Sequence, residues 1–575
     1  MSEWLFWEIK KMISLIKKNL AIVLLIIIAF ASYMLTIIPS GSQYCFGGTC
    51  GLYFWGAHGH DAIWHLAIVA ISFNHFPFVA PTFSGEILSS YNYFLDVLIY
   101  FLTKLGISAT ASYFKILPIV WFGLFSYLLL KLSEKIHKEK VFAFIFLFFV
   151  FFSGSFSFVI TWIHDKTIWG SSGLLAMQSL LSLTNLQYAF SLVIITLILV
   201  VIKSPKPSLK NIIMLGFLVA INLALKFYAG IISGFIVLLY FALTFYKSKD
   251  ILGFIKSLLF VGGFSLIVIF FFYGIGGQTN GGLPLVYSPF STVYPIIEEP
   301  KLLYMKNITN AKYFLENSGR FSPRLVVINM FVLGLYIVFN FGTRMIGLIY
   351  LLNQALKRKI MQFDIIVFLT VVFSLVLSIF FIQRGVWWNT VQFSYYAFFL
   401  SNIFAAETIY LLIKKNKTIG AIITSVILLL TVPTSLDIIR TFGQPPGHVY
   451  LPKDEIVALD FLKKQPYGVV FSPLPTDKNR PSVRPLPIYS LGDSSYITAF
   501  SNKQSFIADE VQLQLVGIDY RERADMSRNW NCDVIRKANY LYELKQNPIG
   551  NKLNSCRRKF KKIYKNNLVT VYITN

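Results

Sequence analysis

The chain has 575 residues, of which 55% are hydrophobic, 17% aromatic and only 14% charged. A soluble domain carries about 25% charged residues, and it would have to expose large apolar patches to hold 55 Phe and 31 Tyr. The net charge of +25 would suit a nucleic-acid partner, but basic loops beside membrane spans produce the same excess. The composition therefore argues against a soluble enzyme, a disordered chain and a nucleic-acid-binding domain, and it indicates a polytopic α-helical membrane protein.

Apolar stretches long enough to cross a bilayer recur along the chain. A helix needs about 20 apolar residues to span the hydrocarbon core, and windows of that length predict about eleven transmembrane helices. They lie near residues 19–38, 113–131, 141–161, 185–202, 211–227, 229–246, 251–273, 325–352, 363–382, 392–413 and 418–436. Lys226 and Gly230 interrupt the 211–246 region, which predicts a turn between two spans.

Lysine-rich connections set the predicted orientation. Four lysines precede the first span, and every second connection after it is basic: 131–140, 203–210, 247–249, 357–359 and 414–417. Short basic loops stay in the cytoplasm, so the amino terminus is predicted to be cytoplasmic and the carboxyl terminus to be exported. We therefore expect a multi-pass protein of the plasma membrane without a nucleic-acid partner. The first span lacks a small-residue cleavage site and is interpreted as an uncleaved anchor.

The predicted topology divides the chain into two domains. Residues 1–436 form a transmembrane domain with a long first exported loop at 39–112, and residues 437–575 form an exported soluble domain. The elements predicted in this tail are a helix at 454–464 and short strands at 468–472 and 569–573. Their alternation predicts a small α/β domain.

The cysteines give a second indication of the topology. All four fall on the predicted exported side: Cys45, Cys50, Cys532 and Cys556. Disulfides persist outside the cytoplasm, so we expect disulfide bonds, with Cys45 and Cys50 closing a small loop. Four free thiols are the alternative.

Asp61 opens a predicted amphipathic helix at 61–73 in the first exported loop. His60 precedes it, and His65 follows four residues later, so Asp61 and His65 share one helix face. A carboxylate at the membrane surface can act as a general base or bind a hard metal ion. The alternative for Asp61 is a helix cap. Together with the histidines it makes a divalent metal a candidate cofactor, although no spacing is diagnostic.

Further polar residues gather on the predicted exported side. Glu86, Tyr91 and Asp96 belong to a polar and aromatic set beside a second predicted surface helix at 87–105. Asp165 lies at the boundary of the second exported loop and is a candidate partner of Asp61. The alternative for each is a local hydrogen bond or simple solvation.

Two cations are placed to meet a lipid-linked phosphate. Lys226 lies at the predicted exported end of a span beside Tyr228, and Arg384 is followed closely by Trp387 and Trp388. The cations would hold the phosphate while the aromatic rings stack on a sugar. Snorkelling cations and an interfacial tryptophan belt are the alternative.

This arrangement resembles the GT-C class of integral-membrane glycosyltransferases, and in particular its family 39-like members that use polyprenyl-phosphate sugars. The resemblance rests on Asp61 in GHDAIWH at the start of a long exported loop, on about eleven spans with polar content on one side, and on a carboxyl-terminal α/β domain containing YITAFSNKQSFIADE. The first loop lacks the paired acids, Asp-Glu or Asp-x-Asp, of some relatives.

The resemblance implies an inverting glycosyltransferase. It would move a hexosyl or pentosyl group from a polyprenyl-phosphate-linked donor to a glycan, lipid or protein acceptor at the exported face of the bilayer. Asp61 would be the general base with Asp165 as a second catalytic carboxylate, and Lys226 and Arg384 would offset charge on the leaving phosphate. The remaining candidate substrate-binding residues are His60, His65, Glu86, Tyr91, Tyr228, Trp387 and Trp388.

Two other functions stay open at this point. A transporter or flippase for lipid-linked saccharides would place ionisable groups near the bilayer midplane, whereas the predicted spans are nearly free of charge at mid-span. A non-catalytic assembly scaffold with a partner-binding tail is the third hypothesis.

Overall fold

In the computed structural model, the described residues are 19–175, 179–182, 185–203, 208–274, 285–319, 322–384, 386–474, 484–530, 532–546 and 560–574. The four amino-terminal lysines and Cys556 lie outside these ranges. The longer helices up to residue 443, in chain order, are α1 (Leu20–Ile37), α2 (Asp61–Ile71), α3 (Phe94–Lys104), α4 (Ala109–Ile136), α5 (Lys140–Phe152), α6 (Ser157–Asp165), α7 (Leu186–Ile202), α8 (Leu209–Leu225), α9 (Phe227–Ser248), α10 (Ile251–Tyr273), α11 (Lys306–Asn317), α12 (Pro323–Leu356), α13 (Gln362–Phe380), α14 (Trp387–Lys415) and α15 (Lys417–Gly443).

The eleven predicted transmembrane segments are helical, apart from a break within 141–161, and several are long and apolar enough to cross a bilayer, so the chain is a multi-pass membrane protein. Among the described residues, eight helices are long and apolar enough to cross a bilayer, and a ninth span results if α5 and α6 count together. The eight are α1, α4, α9, α10, α12, α13, α14 and α15. α7 and α8 have 17 residues each, roughly 25 Å at 1.5 Å per residue, which is slightly short of a hydrocarbon core of about 30 Å.

The segment predicted as one span at 141–161 is instead two helices. α5 and α6 are inclined by 56° across a break of four residues. In that break the carbonyls of Ser153 and Gly154 accept hydrogen bonds from the guanidinium of Arg344, at 2.5 and 3.1 Å. Arg344 lies within α12, is only 3% exposed and also donates to Asn402. The interior of the bundle, expected to be nearly free of charge, therefore holds a cation that satisfies the broken helix.

The turn predicted inside 211–246 is present. Lys226 separates α8 from α9 with an extended backbone, at φ −158° and ψ 119°. Its own backbone N–H still bonds to Asn222 at 2.8 Å, so α8 ends on a satisfied amide. The side chain of Lys226 is thereby placed at the end of a helix pair.

The core of the bundle surrounds α14, in which 83% of the apolar window is buried. α13, α9, α5 and the second half of α12 pack on it. Aromatic contacts fill the interior, as in the perpendicular pair Phe341 and Phe398, whose ring centroids are 4.8 Å apart. This rigid bundle supports the elements that form the site.

The first loop folds as a hairpin followed by two helices. The hairpin contains the disulfide between Cys45 and Cys50, as predicted, and Cys532 is also disulfide-bonded. α2 occupies the first predicted surface helix. α3 begins at Phe94 rather than at Ile87, because Ile87 forms a β-bridge with Val79 and Ser90 has a positive φ of 57°, which a helix cannot accommodate.

The tail is an α/β region that shares a sheet with the first loop. The strands of the chain are β1 (Ser42–Phe46), β2 (Thr49–Phe54), β3 (Leu285–Tyr287), β4 (Phe381–Gln383), β5 (Val449–Pro452), β6 (Val469–Phe471), β7 (Leu486–Pro487), β8 (Gln504–Ser505), β9 (Tyr540–Leu544), β10 (Phe560–Lys565) and β11 (Val569–Thr574). The tail helices are α16 (Lys453–Lys463), α17 (Tyr496–Ser501), α18 (Glu510–Leu515) and α19 (Arg521–Arg528). The predicted helix and both predicted strands are present as α16, β6 and β11.

Two larger sheets organise these strands. One has the order β1-β2-β5-β7, with β2 and β5 antiparallel, and the other has the order β10-β11-β9-β6-β8. Because β2 belongs to the first loop and β5 to the tail, backbone hydrogen bonds join the two regions. α17 of the tail also packs on α2, the helix that begins with Asp61.

Candidate active site

A cavity of about 1450 Å³ lies where the first loop, several helix ends and the tail meet. α2, the connection at Lys226, the end of α10 and the segment after β4 supply one part of its wall. The tail supplies the rest through Asp493 and residues 511–521. The volume exceeds that of ordinary small-molecule sites, which are about 300–1,000 Å³, and so it has room for two ligands.

The structure brings eight of the eleven predicted site residues to this cavity. They are His60, Asp61, His65, Tyr91, Lys226, Tyr228, Arg384 and Trp388. These residues come from four separate stretches of the sequence. These eight residues, distant in the sequence, therefore meet at one cavity.

Three predicted site residues do not line the cavity. Asp165 is the last residue of α6 and is exposed, and Glu86 is exposed on the first loop. Trp387 is 42% exposed, and its ring is nearly perpendicular to that of Trp388. Adjacent residues of a tight helical turn point in different directions, so only Trp388 faces the cavity.

A histidine surrounded by carboxylates occupies one wall. His60 Nδ1 lies 2.9 Å from Oδ1 of Asp61, and His60 Nε2 lies 3.3 Å from Oδ2 of Asp493 and 4.0 Å from Oδ1 of Asp509. Burial favours the neutral imidazole, but the neighbouring carboxylates of Asp493, Asp61 and Asp509 outweigh it and raise the pKa of His60 to about 11. His60 is therefore an imidazolium that ties the first loop to the tail.

Asp61 is held at the amino-terminal turn of α2. It is the first helical residue, and His60, in the capping position, makes no side-chain cap bond. The helix dipole favours a negative charge in this turn. The side chain of Asp61 is 32% exposed and lines the cavity together with His65, one turn along the same face.

Cations, amides and aromatic rings form a second part of the wall. Lys226 is half-buried and Arg384 exposed. Gln383, just before Arg384, accepts hydrogen bonds from the Tyr228 hydroxyl and from the Asn389 amide, both at 2.7 Å. These bonds fix the segment that carries Arg384. Two cations that face one cavity are suited to binding a phosphate group.

Several lining residues were missed by the sequence interpretation. Asp493 is one of them, and Asp509 faces His60 without lining the cavity; both lie far along the chain in the tail, and only the tertiary fold brings them to His60. The Tyr188 hydroxyl and the Oε1 atom of Gln512 are buried without a hydrogen-bond partner, and both residues line the cavity. Buried polar atoms without partners are costly, so these two indicate that the cavity receives a polar ligand.

The candidate divalent metal has no clear set of ligands. The part of the chain that the structure describes contains no group of three or more His, Cys, Asp or Glu side chains arranged to hold a metal ion. The carboxylates nearest Asp61 instead surround protonated His60, whose two nitrogens both face carboxylates. This donor set does not fit a metal as placed, and no step below is assigned to one.

Comparisons with known proteins address the fold. No protein-family model matches the chain, and no curated protein matches its sequence. The Archaeoglobus fulgidus oligosaccharyltransferase in complex with Zn and sulfate is 13% identical and aligns over 96% of this chain and 73% of its own, with a TM-score of 0.51. The oligosaccharyltransferase AglB of Archaeoglobus fulgidus, in complex with an inhibitory peptide and a dolichol-phosphate, is 12% identical and aligns over 92% and 70%, with a TM-score of 0.50.

These similarities extend over both the helix bundle and the tail. At such low identity they establish the architecture and leave the chemistry to the residues of this chain. The chain therefore has the fold of the archaeal oligosaccharyltransferases, as its resemblance to the GT-C class predicted.

Proposed function

We propose that the chain is a membrane glycosyltransferase that moves a saccharide from a polyprenyl-phosphate-linked donor to an acceptor on the exported side of the plasma membrane. The observation that carries this proposal is the composition of the cavity, in which Asp61 and two cations, Lys226 and Arg384, face one large space. The transferred group is a hexosyl, pentosyl or larger saccharide. The acceptor is a hydroxyl or amide of a protein, glycan or lipid.

The donor occupies the cationic part of the cavity. Lys226 and Arg384 contact the phosphate and stabilise the negative charge that develops as the sugar–phosphate bond breaks. Trp388 and Tyr228 offer ring faces to the sugar. The dolichol-phosphate bound by AglB supports a lipid of this class for a chain of the same fold.

The acceptor approaches from the wall formed by Asp61 and the tail. The oxygen or nitrogen of the acceptor attacks the anomeric carbon of the sugar, and Asp61 takes the proton that this atom loses. With one base and one departing phosphate, the transfer is a single displacement at the anomeric carbon, which inverts the anomeric configuration. The inhibitory peptide in the AglB structure supports a protein acceptor as the first to test.

Two features support the proposed orientation. The disulfide between Cys45 and Cys50 forms in an oxidising compartment. The hairpin that contains it pairs with β5 of the tail, so the loop and the tail lie on the same side of the bilayer. We therefore place residues 39–112 and 437–575 outside.

Transfer and transport are separated in one reconstitution. The purified chain is placed in liposomes with polyprenyl lipids from its source cells that carry a radiolabelled saccharide, together with membrane proteins and glycans from the same cells as acceptors. We expect label to leave the organic-soluble lipid and to appear on an acceptor, at a rate absent from protein-free liposomes. Label that stays on lipid and only changes leaflet contradicts the proposal and favours a flippase.

A further inference from the structure

The chain contains two Asn-x-Ser/Thr sequences, and neither has a part in the reaction proposed above. They are Asn307-Ile308-Thr309 and Asn416-Lys417-Thr418. An asparagine in such a sequence, with any residue except proline in the middle, is an acceptor for N-linked saccharides in exported proteins. The motif is short enough to arise by chance, so its position in the fold decides whether either asparagine can carry a saccharide.

The first sequence lies on the side of the bundle that contains the cavity. Asn307 belongs to α11, between the spans α10 and α12. β3, which precedes α11, pairs with β4, and both Leu285 of β3 and Gln383 of β4 line the cavity. Nε2 of His164, near the end of α6, lies 2.6 Å from the carbonyl oxygen of Leu302, shortly before α11. These contacts place α11 on the cavity side of the membrane.

The second sequence lies at the other end of the bundle. Asn416 connects α14 to α15. Trp388 and Tyr395, near the start of α14, line the cavity, and the helix then runs from Gln392 to Lys415 over 24 residues. This length is roughly 36 Å at 1.5 Å per residue, more than a hydrocarbon core of about 30 Å. The two asparagines therefore face opposite sides of the bilayer.

α11 turns Asn307 outward and buries its other face. Asn310 and Phe314, which follow Asn307 at the spacing of one helix face, are also exposed, and Phe314 is 76% exposed. On the other face Lys312 is 2% exposed, and its Nζ lies 2.7 Å from Oε1 of Glu298. A saccharide on Asn307 would extend into solvent and displace no packed side chain of the described residues.

The sequence also occupies the part of α11 that opens most readily. Asn307 is the second residue of the helix, where the backbone N–H groups have no partners within the helix and the end frays. The backbone N–H of Thr309 bonds to the carbonyl of Met305 at 3.0 Å, and its hydroxyl donates to the carbonyl of Ile297 at 3.2 Å. An extended acceptor conformation thus breaks the bonds of one turn, and modification before α11 packs avoids that cost.

We propose that Asn307 carries an N-linked saccharide on the exported side of the membrane and that Asn416 stays unmodified in the cytoplasm. The donor is a lipid-linked saccharide. Nδ2 of Asn307 bonds to the anomeric carbon and loses one proton to the base of the transferase, while the lipid phosphate leaves with the electron pair of the broken carbon–oxygen bond. The site rests on the proposed orientation and not on the proposed activity, since any transferase of the exported face can modify it.

Mass spectrometry of the protein purified from its source cells tests the assignment. Trypsin cleaves after Lys306 and Lys312, so that Asn307 lies in the peptide 307–312. In the wild type we expect this peptide to gain the mass of a saccharide, with fragment ions that place it on Asn307, and the peptide with Asn416 to be unmodified. A wild-type peptide 307–312 without a saccharide, or a saccharide on Asn416, overturns the proposal.

Variants of the motif show whether the sequence directs the modification. Asn307→Gln keeps an amide, and Thr309→Val keeps the shape of the side chain without its hydroxyl, so both should fold and both should lose the saccharide completely. Thr309→Ser, which preserves the motif, and Asn416→Gln should keep the wild-type mass. A saccharide that persists in folded Thr309→Val overturns the assignment.

The outcome is separate from that of the transfer assay. Asn307 and Thr309 are not among the described residues that line the cavity, so their variants should transfer sugar like the wild type. A wild type that carries the saccharide but transfers none in liposomes supports this site and contradicts the proposed function. An unmodified wild type that transfers sugar does the reverse.

Discussion

Lys226 shows how a single residue position combines a backbone break with a charge. Its extended backbone ends one helix and begins the next, and its ammonium lines the cavity. A cation there has fewer water partners than at the surface, so a phosphate can compete for it. The sequence pointed to Lys226 because it interrupts an apolar stretch.

Replacement of Lys226 should weaken donor binding. Lys226→Met keeps the length of the side chain but removes the charge, and a hydrogen bond between charged groups contributes about 1.5–3 kcal/mol. We expect the Kd for undecaprenyl phosphate to rise by about tenfold or more. Binding is measured by intrinsic tryptophan fluorescence, with Lys301→Met, an exposed lysine outside the cavity lining, as the control. Equal affinities would remove Lys226 from the phosphate site.

Whether the position of a residue in the site could be predicted depended on its neighbours in the sequence. Asp61 and His65 could be placed on one helix face from their spacing alone, and the structure agrees. Asp493 and Asp509 could not be found, because nothing near them in the sequence indicates that they meet His60. The sequence could not show which of Trp387 and Trp388 faces the cavity, because the preference of tryptophan for the membrane interface does not define the direction of a side chain in a tight turn.

Among the elements, the broken helix pair α5 and α6 depends on Arg344. Arg344→Met should leave the carbonyls of Ser153 and Gly154 without partners inside the bundle, where each lost bond costs about 1–3 kcal/mol. We expect the unfolding temperature in detergent to fall by roughly 5 °C or more. Arg358→Met, at an exposed arginine after α12, is the control and should change it little. A stable Arg344→Met variant would show that water satisfies these carbonyls.

The tail contains an element whose stability depends on pH. Glu455 on α16 is fully buried, and it accepts hydrogen bonds from the hydroxyls of Tyr496 and Tyr542 at 2.9 and 3.1 Å. Burial raises its pKa to about 7, above the unfolded value of about 4.3. The folded state therefore favours the protonated carboxyl of Glu455. The contribution of this group to the free energy of unfolding is fully present below about pH 4 and is lost as the pH rises through about 7.

Glu455→Gln should flatten this dependence, because the amide resembles the neutral carboxyl. We expect the variant to equal the wild type near pH 5 and to unfold at a higher temperature than the wild type at pH 8. Thermal unfolding at pH 5, 7 and 8 measures the difference, with exposed Glu522→Gln as the control. A wild-type pH dependence in Glu455→Gln would mean that Glu455 stays ionised in the folded protein.

For the whole molecule, one sheet joins the first loop to the tail, and both of these regions contribute residues to the cavity wall. Its register places Tyr53 opposite Tyr450, with their rings stacked at 5.2 Å. Directly opposed residues of antiparallel strands have Cα atoms about 4.5–5.5 Å apart, a distance that a disulfide can bridge. The tail is thus held in place by backbone pairing as well as by His60.

An engineered disulfide tests this arrangement. Tyr53→Cys combined with Tyr450→Cys should cross-link without added oxidant in intact cells, because both strands lie on the proposed exported side. Peptide mass spectrometry after proteolysis detects the bond, and Tyr53→Cys alone is the control. Two free thiols in folded protein would contradict either the register or the orientation.

The global architecture could be predicted because a membrane imposes it. Segments of about 20 apolar residues must be helical in a bilayer, and the eleven predicted segments are helical apart from the break within 141–161. The break in 141–161 could not be predicted, because Arg344, which satisfies it, lies on a distant helix. The joint sheet of loop and tail could not be predicted either, since strands of two to six residues carry no signal for their partner.

The central claim is that Asp61 takes the proton of the acceptor in a sugar-transfer cavity. Transfer of labelled saccharide from native polyprenyl lipid is compared between the wild type, Asp61→Asn and Asp165→Asn, the last at a carboxylate outside the cavity. Asparagine fits the first turn of α2, so all three should fold and bind lipid phosphate alike. We expect Asp61→Asn to lose roughly 100-fold or more in kcat and Asp165→Asn to keep wild-type activity. Equal transfer by the wild type and Asp61→Asn would contradict the account.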